Sequence, residues 1–220
     1  MIDLKKALHK WFHPEDQTPP MPEPNTDWVG YEVLIEFIEQ NNLLSVPGDL
    51  LEIGAFLGGG TRKLSQLLSR SAPDKRLWVI DVFDPTFDWT KNTQGDAMAS
   101  LYAGALARFN GKSQWEIFQE NTKDCANINV VKSDSRKAQI GDARLCFAFI
   151  DGNHSPEYVR SDFLLAWSHL NSLGGIVFDD YGKDLPQTTM AIDELVEKFR
   201  PEIASFSVNA ERHMAYIIRK

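Results

Sequence analysis

Short apolar runs alternate with amphipathic stretches along most of the chain. The short runs are typical of buried strands, whereas apolar residues that recur every three or four positions indicate one face of a helix. Strands are predicted over residues 50–53, 77–80, 115–118, 145–150, 176–178, 203–208 and 214–218. Helices are predicted after the caps at 25–27, around 64–68, and over 96–109, 121–129, 156–170 and 188–199, and residues 130–131 begin a turn or a further short strand.

The alternation of strand and helix predicts an α/β fold. Strands that are joined through helices pair in parallel and carry helices on both faces of the sheet. The last two strands flank a turn at 209–212 that is too tight for a crossover, so they should form an antiparallel hairpin at one edge. We therefore predict a doubly wound, mostly parallel, seven-stranded sheet with a C-terminal antiparallel hairpin.

Two stretches stand apart from this pattern. Residues 2–12 could form an amphipathic helix, and 13–24 hold five prolines, so 1–27 is predicted to be a helix and a proline-rich arm before a domain over 28–220. The apolar stripe of that helix could form a contact in a homo-oligomer, or it could pack as a simple cap on the core, and both alternatives remain open. Residues 84–114 are long for a connection and predict a lid insertion, called the insertion below. Trp28, Tyr31, Phe87, Trp89 and Tyr102 are candidates for a pocket wall, with ordinary packing as the alternative.

Length, charge and cysteine content exclude several classes of protein. The 220 residues suffice for one domain, and 31 acidic against 23 basic residues give a net charge of -8, which disfavours nucleic acid as a partner. The longest apolar stretch, 145–150, is far shorter than the roughly 20 residues of a membrane span. The N-terminus lacks the apolar block of a secretory signal, and there are only two cysteines, so a cytoplasmic location is predicted.

A glycine-rich loop follows the first predicted strand. Glycines between a strand and a helix let the backbone approach a ligand, and the helix N-terminus favours an anionic group. Phe56 stands where a dinucleotide-binding loop would have glycine, and the lysine of a P-loop is missing. Asp81 ends the second strand, 27 positions after Gly54 (81 minus 54), where an acid can bind ribose hydroxyls. A purely structural turn and a solvated loop acid are the alternatives, and Asp84 competes with Asp81.

Acids also follow the fourth and fifth predicted strands. Asp151 and His154 come after 145–150, and Asp179 and Asp180 come after 176–178. Neighbouring parallel strands lie about 4.8 Å apart, so these carboxylates can converge, and converging carboxylates repel one another unless a cation or protons intervene. Oxygen ligands favour Mg²⁺, Mn²⁺ or Ca²⁺, and such an ion lowers the pKa of a bound hydroxyl. His154 is suited to accept a proton near pH 7, although helix capping would also explain these residues.

The glycine loop together with Asp81 resembles the first two motifs of class I S-adenosylmethionine-dependent methyltransferases. The matching residues are Glu52-x-Gly54-x-x-x-Gly58-x-Gly60-Thr61 and Asp81-Val82-Phe83, and the resemblance covers about 28–220. It implies a Rossmann-like fold, a loop that cradles the methionine part of the cofactor, and an aspartate that holds its ribose. Asp134-Ser135 matches the segment that lies against adenine. The cofactor-binding residues implied in this way are Glu52, Gly54, Ala55, Gly58, Thr61, Asp81, Asp134 and Ser135.

The second set of acids narrows the resemblance. Asp151-Gly152-Asn153-His154-Ser155 with Asp179-Asp180-Tyr181 is similar to metal-dependent O-methyltransferases of the macrocin type, which act on sugar hydroxyls, and to cephalosporin hydroxylase-like proteins. The resemblance implies that Asp151, Asp179 and Asp180 bind Mg²⁺ (or Mn²⁺ or Ca²⁺). It also implies that His154 is the general base beside Asp151. Asn153 departs from the pattern, because many relatives have aspartate there.

The resemblance implies an S-adenosylmethionine-dependent O-methyltransferase. A divalent metal would activate a hydroxyl of a small molecule, and a sugar, a phenol and a natural product all remain open as the acceptor. Three alternatives are an N-methyltransferase or hydroxylase-like relative on the same fold, a non-catalytic cofactor-binding partner, and, disfavoured by the loop spacing, a dehydrogenase.

Overall fold

One seven-stranded sheet runs through the part of the chain that the structure, a computed structural model, describes: residues 25–182 and 184–220. The N-terminal helix and most of the arm predicted over 1–27 lie outside these residues. The strands are Asp49–Ile53 (β1), Leu77–Asp81 (β2), Ile128–Lys132 (β3), Leu145–Ile150 (β4), Leu170–Phe178 (β5), Ile203–Asn209 (β6) and Met214–Arg219 (β7). Their order in the sheet is β3-β2-β1-β4-β5-β7-β6.

Six α-helices connect the strands within the described residues. They are Glu32–Gln40 (α1), Gly59–Ser71 (α2), Met98–Leu106 (α3), Gln114–Thr122 (α4), Pro156–His169 (α5) and Pro186–Phe199 (α6). Short 3₁₀ helices cover Leu43–Ser45, Ala107–Phe109, Ser135–Lys137 and Arg200–Glu202. In these residues no helix has both the length and the apolar character that crossing a bilayer requires.

The helices cover both faces of the sheet, as predicted. Every residue of β4 is buried, and its side chains alternate between two apolar clusters. Phe147 and Phe149 pack with the apolar residues of α1 and α2, whereas Ala148 and Ile150 pack with those of α5 and α6. The period-2 alternation of side chains along a strand explains this division, and burial on both faces explains why β4 is a continuous apolar run.

The register brings the ends of four parallel strands to one level. Ile53 of β1 pairs with Ile80 of β2 and with Ile150 of β4, and Ile150 pairs with Phe178 of β5. The residues that follow these positions therefore share the carboxyl edge of the sheet. The predicted C-terminal hairpin is confirmed, since β7 pairs antiparallel with both β5 and β6.

Two predicted elements are wrong. Residues 115–118 are not the third strand but part of α4, which begins with a capping box in which Ser113 and Glu116 bond each other's backbone N–H. The third strand is β3, which overlaps the end of the helix predicted over 121–129 and contains residues 130–131, where a turn or a further short strand was predicted. A short apolar run fits a strand and a helix equally well when length is the only criterion, and the Ser-x-x-Glu capping signal decides for the helix. The number of strands is unchanged.

Candidate active site at the carboxyl edge of the sheet

A cavity of about 330 Å³ opens where the four parallel strands end. Its wall also includes the segment around Trp28 and much of the insertion, namely Pro85, Phe87, Met98 and Tyr102. The volume is at the lower end of what small-molecule sites have. Seven aspartates line it: Asp27, Asp81, Asp84, Asp88, Asp151, Asp179 and Asp180.

Asp81 ties the glycine loop to the end of β2. Its Oδ2 accepts hydrogen bonds from the backbone N–H groups of Ala55 and Phe56, both at 2.9 Å, and its Oδ1 accepts one from Phe83 at 2.6 Å. The amide of Gln114 donates to Oδ1 at 3.3 Å. Burial raises the pKa of the Asp81 carboxyl, and the backbone N–H groups limit the rise. The predicted ribose-binding acid therefore also holds the loop in place.

Glu52 lies behind the loop and does not line the cavity. Its side chain is buried and accepts hydrogen bonds from the Tyr31 hydroxyl and from Thr61 Oγ1, each at 2.6 Å. Burial raises the pKa of Glu52 to about 7, although both hydroxyl donors lower it. Glu52 thus joins β1 to the first turn of α2 and to the residue that precedes α1.

The glycines of the loop make room for other parts of the chain. A Cβ on Gly54, which has φ +90°, would lie 1.8 Å from the carbonyl oxygen of Asp151. A Cβ on Gly60 would lie 2.3 Å from the Tyr31 ring. Gly54, Ala55, Phe56 and Gly60 line the cavity, whereas the predicted cofactor residues Gly58 and Thr61 do not.

His154 lies between two carboxylates. Its Nδ1 is 2.5 Å from Asp88 Oδ2 and its Nε2 is 2.5 Å from Asp180 Oδ2, and all three side chains are buried. Burial alone would lower the pKa of the imidazole, but the hydrogen bonds and charges of Asp180 and Asp88 outweigh it and raise the pKa to about 10. In this arrangement the ring is an imidazolium at neutral pH, with each nitrogen donating to a carboxylate.

Asp151 and Asp180 could hold a metal ion, joined by His154 once its ring has lost a proton. Ligand atoms of Asp151, His154 and Asp180 lie within 4.8 Å of one another. The carboxylate oxygens are the donors that Mg²⁺, Mn²⁺ and Ca²⁺ prefer. Asp179, the remaining predicted metal ligand, lines the same cavity but does not belong to this close group. The residues present therefore fit a divalent cation, with two carboxylates as its core.

The segment predicted to contact adenine lies beside the cavity. Ser133 and Ser135 line it, whereas Asp134 does not. The Asp134 carboxylate instead accepts a hydrogen bond from the backbone N–H of Arg136 at 3.0 Å and forms an ion pair with its guanidinium. Of the residues that the sequence predicts to bind cofactor, the structure brings Gly54, Ala55, Asp81 and Ser135 to one cavity.

Two residues of the site were not predicted from the sequence. Asp88 contacts His154 from the insertion, and Gln114 reaches Asp81 from the first turn of α4. An acid between two aromatic residues, Phe87 and Trp89, in a segment predicted to cover a cavity was a signal for Asp88. Gln114 gave no signal, because it lies in a segment that was predicted to precede a strand.

An aromatic row crosses the cavity wall. The ring of Phe56 is 4.8 Å from Trp28 and 5.2 Å from Tyr102, measured between centroids. Phe56 has a left-handed backbone, with φ +46°, at the position where a dinucleotide-binding loop would have glycine. The row connects the N-terminal segment, the loop and the insertion. Of the five aromatic residues predicted for the pocket wall, Trp28, Tyr31, Phe87 and Tyr102 line the cavity, whereas Trp89 does not.

A family model described as a methyltransferase domain matches residues 51–181. The match begins in β1 and ends just after Asp180, so it contains the loop, Asp81 and the cluster of Asp151, His154 and Asp180, called the metal-ligating cluster in the proposals below. No curated protein sequence matches the chain.

Solved structures of methyltransferases share the fold. The O-methyltransferase NovP superposes with a TM-score of 0.61 at 22% identity, over 84% of this chain and 76% of NovP. The calicheamicin methyltransferase CalS11 gives 0.64 at 16% identity, over 98% and 89%. A rRNA methylase from Streptococcus thermophilus gives 0.51 at 10% identity, over 82% and 94%. At these identities the likeness concerns the fold, and the three proteins differ in what they methylate.

Proposed function

Because the chain belongs to the methyltransferase-domain family and is an S-adenosylmethionine-dependent methyltransferase, we propose that it methylates a hydroxyl oxygen of a small molecule with the help of a divalent cation. One observation carries the proposal: Asp151 and Asp180 of the Asp151–His154–Asp180 cluster line the same cavity as the glycine loop and Asp81, with His154 buried directly behind Asp180. A methyl donor and an activated acceptor would then meet in one enclosed space.

The cofactor is proposed to lie along the end of β1 and the end of β2. Its methionine part would face Gly54 and Ala55, its ribose Asp81, and its adenine Ser135. Asp81 Oδ1 accepts a backbone hydrogen bond from Phe83 and a longer one from Gln114, and a carboxylate oxygen has about two lone-pair sites, so a ribose hydroxyl would compete with Gln114. Glu52 and Thr61 support the loop from behind through their hydrogen bond, Gly58 is part of the loop, and Asp134 holds the neighbouring segment through Arg136.

The acceptor hydroxyl is proposed to bind at the opposite end of the cavity. Asp151 and Asp180, with Asp179 as the third proposed ligand, would hold Mg²⁺, Mn²⁺ or Ca²⁺. When bound, such an ion supplies a Lewis acid that lowers the pKa of a coordinated hydroxyl. His154 can take a proton from the acceptor only after its Nε2 is released from Asp180 and has lost its own proton, so the proposed base role depends on movement of the Asp180 carboxylate.

The protein's main contribution to the rate would be orientation. Methyl transfer is a displacement in which the oxygen, the methyl carbon and the sulfonium sulfur lie in line, and holding two reactants in that geometry removes much of the entropic barrier. The walls formed by the insertion would exclude water. The aspartates would favour binding of the positively charged sulfonium rather than the transfer step, in which that charge is lost.

Methyl transfer and its need for metal are tested together. Purified protein is incubated with S-adenosylmethionine and a panel of hydroxylated acceptors, and S-adenosylhomocysteine formation is measured before and after treatment with a chelator. We expect turnover to stop on chelation and to return with Mg²⁺ or Mn²⁺. Asp151→Asn should lose turnover, whereas Asp142→Asn, an exposed acid outside the cavity, should not.

Three results would contradict the proposal. Turnover that survives chelation and the Asp151→Asn change would remove the metal from it. Transfer to amines but not to hydroxyls would favour an N-methyltransferase. Cofactor binding without transfer to any acceptor would favour a non-catalytic cofactor-binding partner.

A further inference from the structure

Asp88 is a buried carboxylate that belongs to neither motif of the site. It lies in the insertion and is 5% exposed. Its Oδ2 accepts two hydrogen bonds from one residue: the ring Nδ1 of His154 at 2.5 Å and the backbone N–H of His154 at 3.1 Å. Asp88 thus fixes both the backbone and the ring of the proposed base.

Asp88 is itself held firmly. Its Oδ1 accepts a hydrogen bond from the Thr90 N–H at 2.8 Å, and its carbonyl oxygen accepts one from the Ala99 N–H at 2.7 Å, at the start of α3. A carboxylate that is fixed by its own backbone turn loses little conformational freedom when it binds an imidazole, so it orients the ring well.

The same part of the insertion is bound to the loop that carries Asp151. The side-chain amide of Asn153 donates to the Phe87 carbonyl at 3.4 Å, and the Phe87 ring packs edge-on against Tyr158 at 5.6 Å. Residues 87–88 of the insertion therefore contact residues 153–158 at several points. Among these contacts, the side chain of Asp88 is the one that binds the imidazole.

We propose that Asp88 is a positioning residue: it occupies Nδ1 of His154, so that Nε2 points at Asp180 and the metal-ligating cluster, and it thereby couples the insertion to the reacting end of the cavity. A carboxylate behind a histidine sets which nitrogen is available and how the ring is oriented, and the loss of such a partner commonly lowers metal affinity or activity about 10- to 100-fold. The inference rests on the proposed function only in that His154 serves the methylation site.

The matched variants are Asp88→Asn and Asp96→Asn. The first keeps the shape of the side chain and removes its charge. The second makes the same chemical change on the same insertion at an exposed residue that does not line the cavity. Asp88→Glu keeps the charge and tests for rescue. Thermal unfolding of each variant shows that it is folded before the other measurements are compared.

Two measurements do not depend on turnover. In protein labelled with ¹⁵N in its five histidines, the His154 imidazole N–H signals, identified with His154→Gln, report the hydrogen bond at Nδ1. Titration with Mn²⁺ alone reports the metal-ligating cluster. For Asp88→Asn we expect the Nδ1–H signal to move or to be lost to solvent exchange and the Mn²⁺ dissociation constant to rise about 10- to 100-fold. Asp96→Asn should match the wild type, and Asp88→Glu should recover part of both.

Turnover gives a third measurement. Asp88→Asn should lower kcat by about 10- to 100-fold while the KM for S-adenosylmethionine stays within about twofold, because Asp88 does not contact the proposed cofactor end. An Asp88→Asn protein with wild-type His154 signals and wild-type Mn²⁺ affinity overturns the inference. A wild-type protein that transfers no methyl group contradicts the proposed function instead, and the imidazole signals still decide the inference.

Discussion

Glu52 shows how burial of one side chain makes folding depend on pH. Its pKa is about 7 in the folded protein against an ordinary value of 4.5, because burial disfavours the charged form. Between these two pH values the folded protein holds more protons than the unfolded chain. Stability contributed by the protonated acid is therefore present below about pH 4.5 and is lost as the pH rises through about 7.

Replacing Glu52 with glutamine should remove this pH dependence. Glutamine resembles the protonated acid and can still bond the hydroxyls of Tyr31 and Thr61. We expect the Glu52→Gln protein to gain stability relative to the wild type as the pH rises from 5 to 8, by up to about 3 kcal/mol. Urea unfolding at several pH values measures the difference. Glu39→Gln, an exposed acid on α1, is the control, and parallel curves for the wild type and Glu52→Gln would disprove the argument.

Single residues could be predicted from the sequence where they lie at the end of a strand or within two positions after it. Asp81, Asp151 and Asp180 were found in this way, because the position of a strand end is fixed by its apolar run. Asp88 was not, because its partner His154 is 66 positions away and the two meet through the path of an irregular segment. Such a contact depends on tertiary structure that no local pattern specifies.

At the scale of elements, the ends of β1 and β4 touch where the glycine loop begins. The N–H of Asp151 donates to the Ile53 carbonyl at 2.8 Å, and Gly54 passes against the Asp151 carbonyl. The position of the Asp151 carboxylate is therefore set by the backbone of another strand. Residue 54 has to lack a Cβ for the two strand ends to meet.

A comparison of two glycines isolates this contact. Gly54 and Gly95 have nearly the same φ angle, +90° and +92°, but a Cβ on Gly95 would meet nothing within 4 Å. Gly95→Ala should cost about 1–2 kcal/mol for its left-handed backbone alone. Gly54→Ala should cost about 1–3 kcal/mol more because the strand ends must separate. Urea unfolding measures both, and equal costs would show that the contact with Asp151 is unimportant.

Some elements could be predicted from the apolar pattern and others could not, because they differ in how they are buried. β4 is buried on both faces and follows a polar turn, so a strand was the one interpretation that fitted its apolar run. The run at 115–118 belongs to α4, a helix of only nine residues whose apolar positions were too few to reveal a helical period. Its capping box, Ser113 with Glu116, carried the information that the apolar pattern lacked.

At the scale of the whole molecule, the negative charge is concentrated where the acceptor is proposed to bind. Seven aspartates line one cavity of about 330 Å³ in a chain with a net charge of -8. Low-dielectric walls strengthen the field inside such a cavity, so an anionic ligand should be repelled and a neutral or cationic ligand favoured.

Two catechols that differ in charge test this expectation. At pH 6, 3,4-dihydroxybenzaldehyde is largely uncharged, whereas 3,4-dihydroxybenzoate carries one negative charge. We expect the aldehyde to bind at least about tenfold more tightly to the protein loaded with S-adenosylhomocysteine. Quenching of tryptophan fluorescence measures both affinities, because Trp28 lines the cavity.

Salt provides the control for the catechol pair. If the preference is electrostatic, it should shrink as the ionic strength rises from about 0.01 M to 1 M, because the Debye length falls from about 30 Å to 3 Å. Equal binding of the two catechols at low salt would contradict the expectation and would leave nucleotide-linked or other anionic acceptors as substrates.

The pairing of β1 with β4 has a consequence for how the chain acquires its structure. Leu50 pairs with Phe147, so 97 residues (147 minus 50) separate two strands that are neighbours at the centre of the sheet. Contacts that close such long loops form slowly, and a chain still being synthesised has no partner for that edge of β1 until β4 has left the ribosome. The carboxyl edge of the sheet is thus completed late, and until β4 is made the edge of β1 that β4 will cover is an unpaired edge of an apolar strand, which is liable to aggregate.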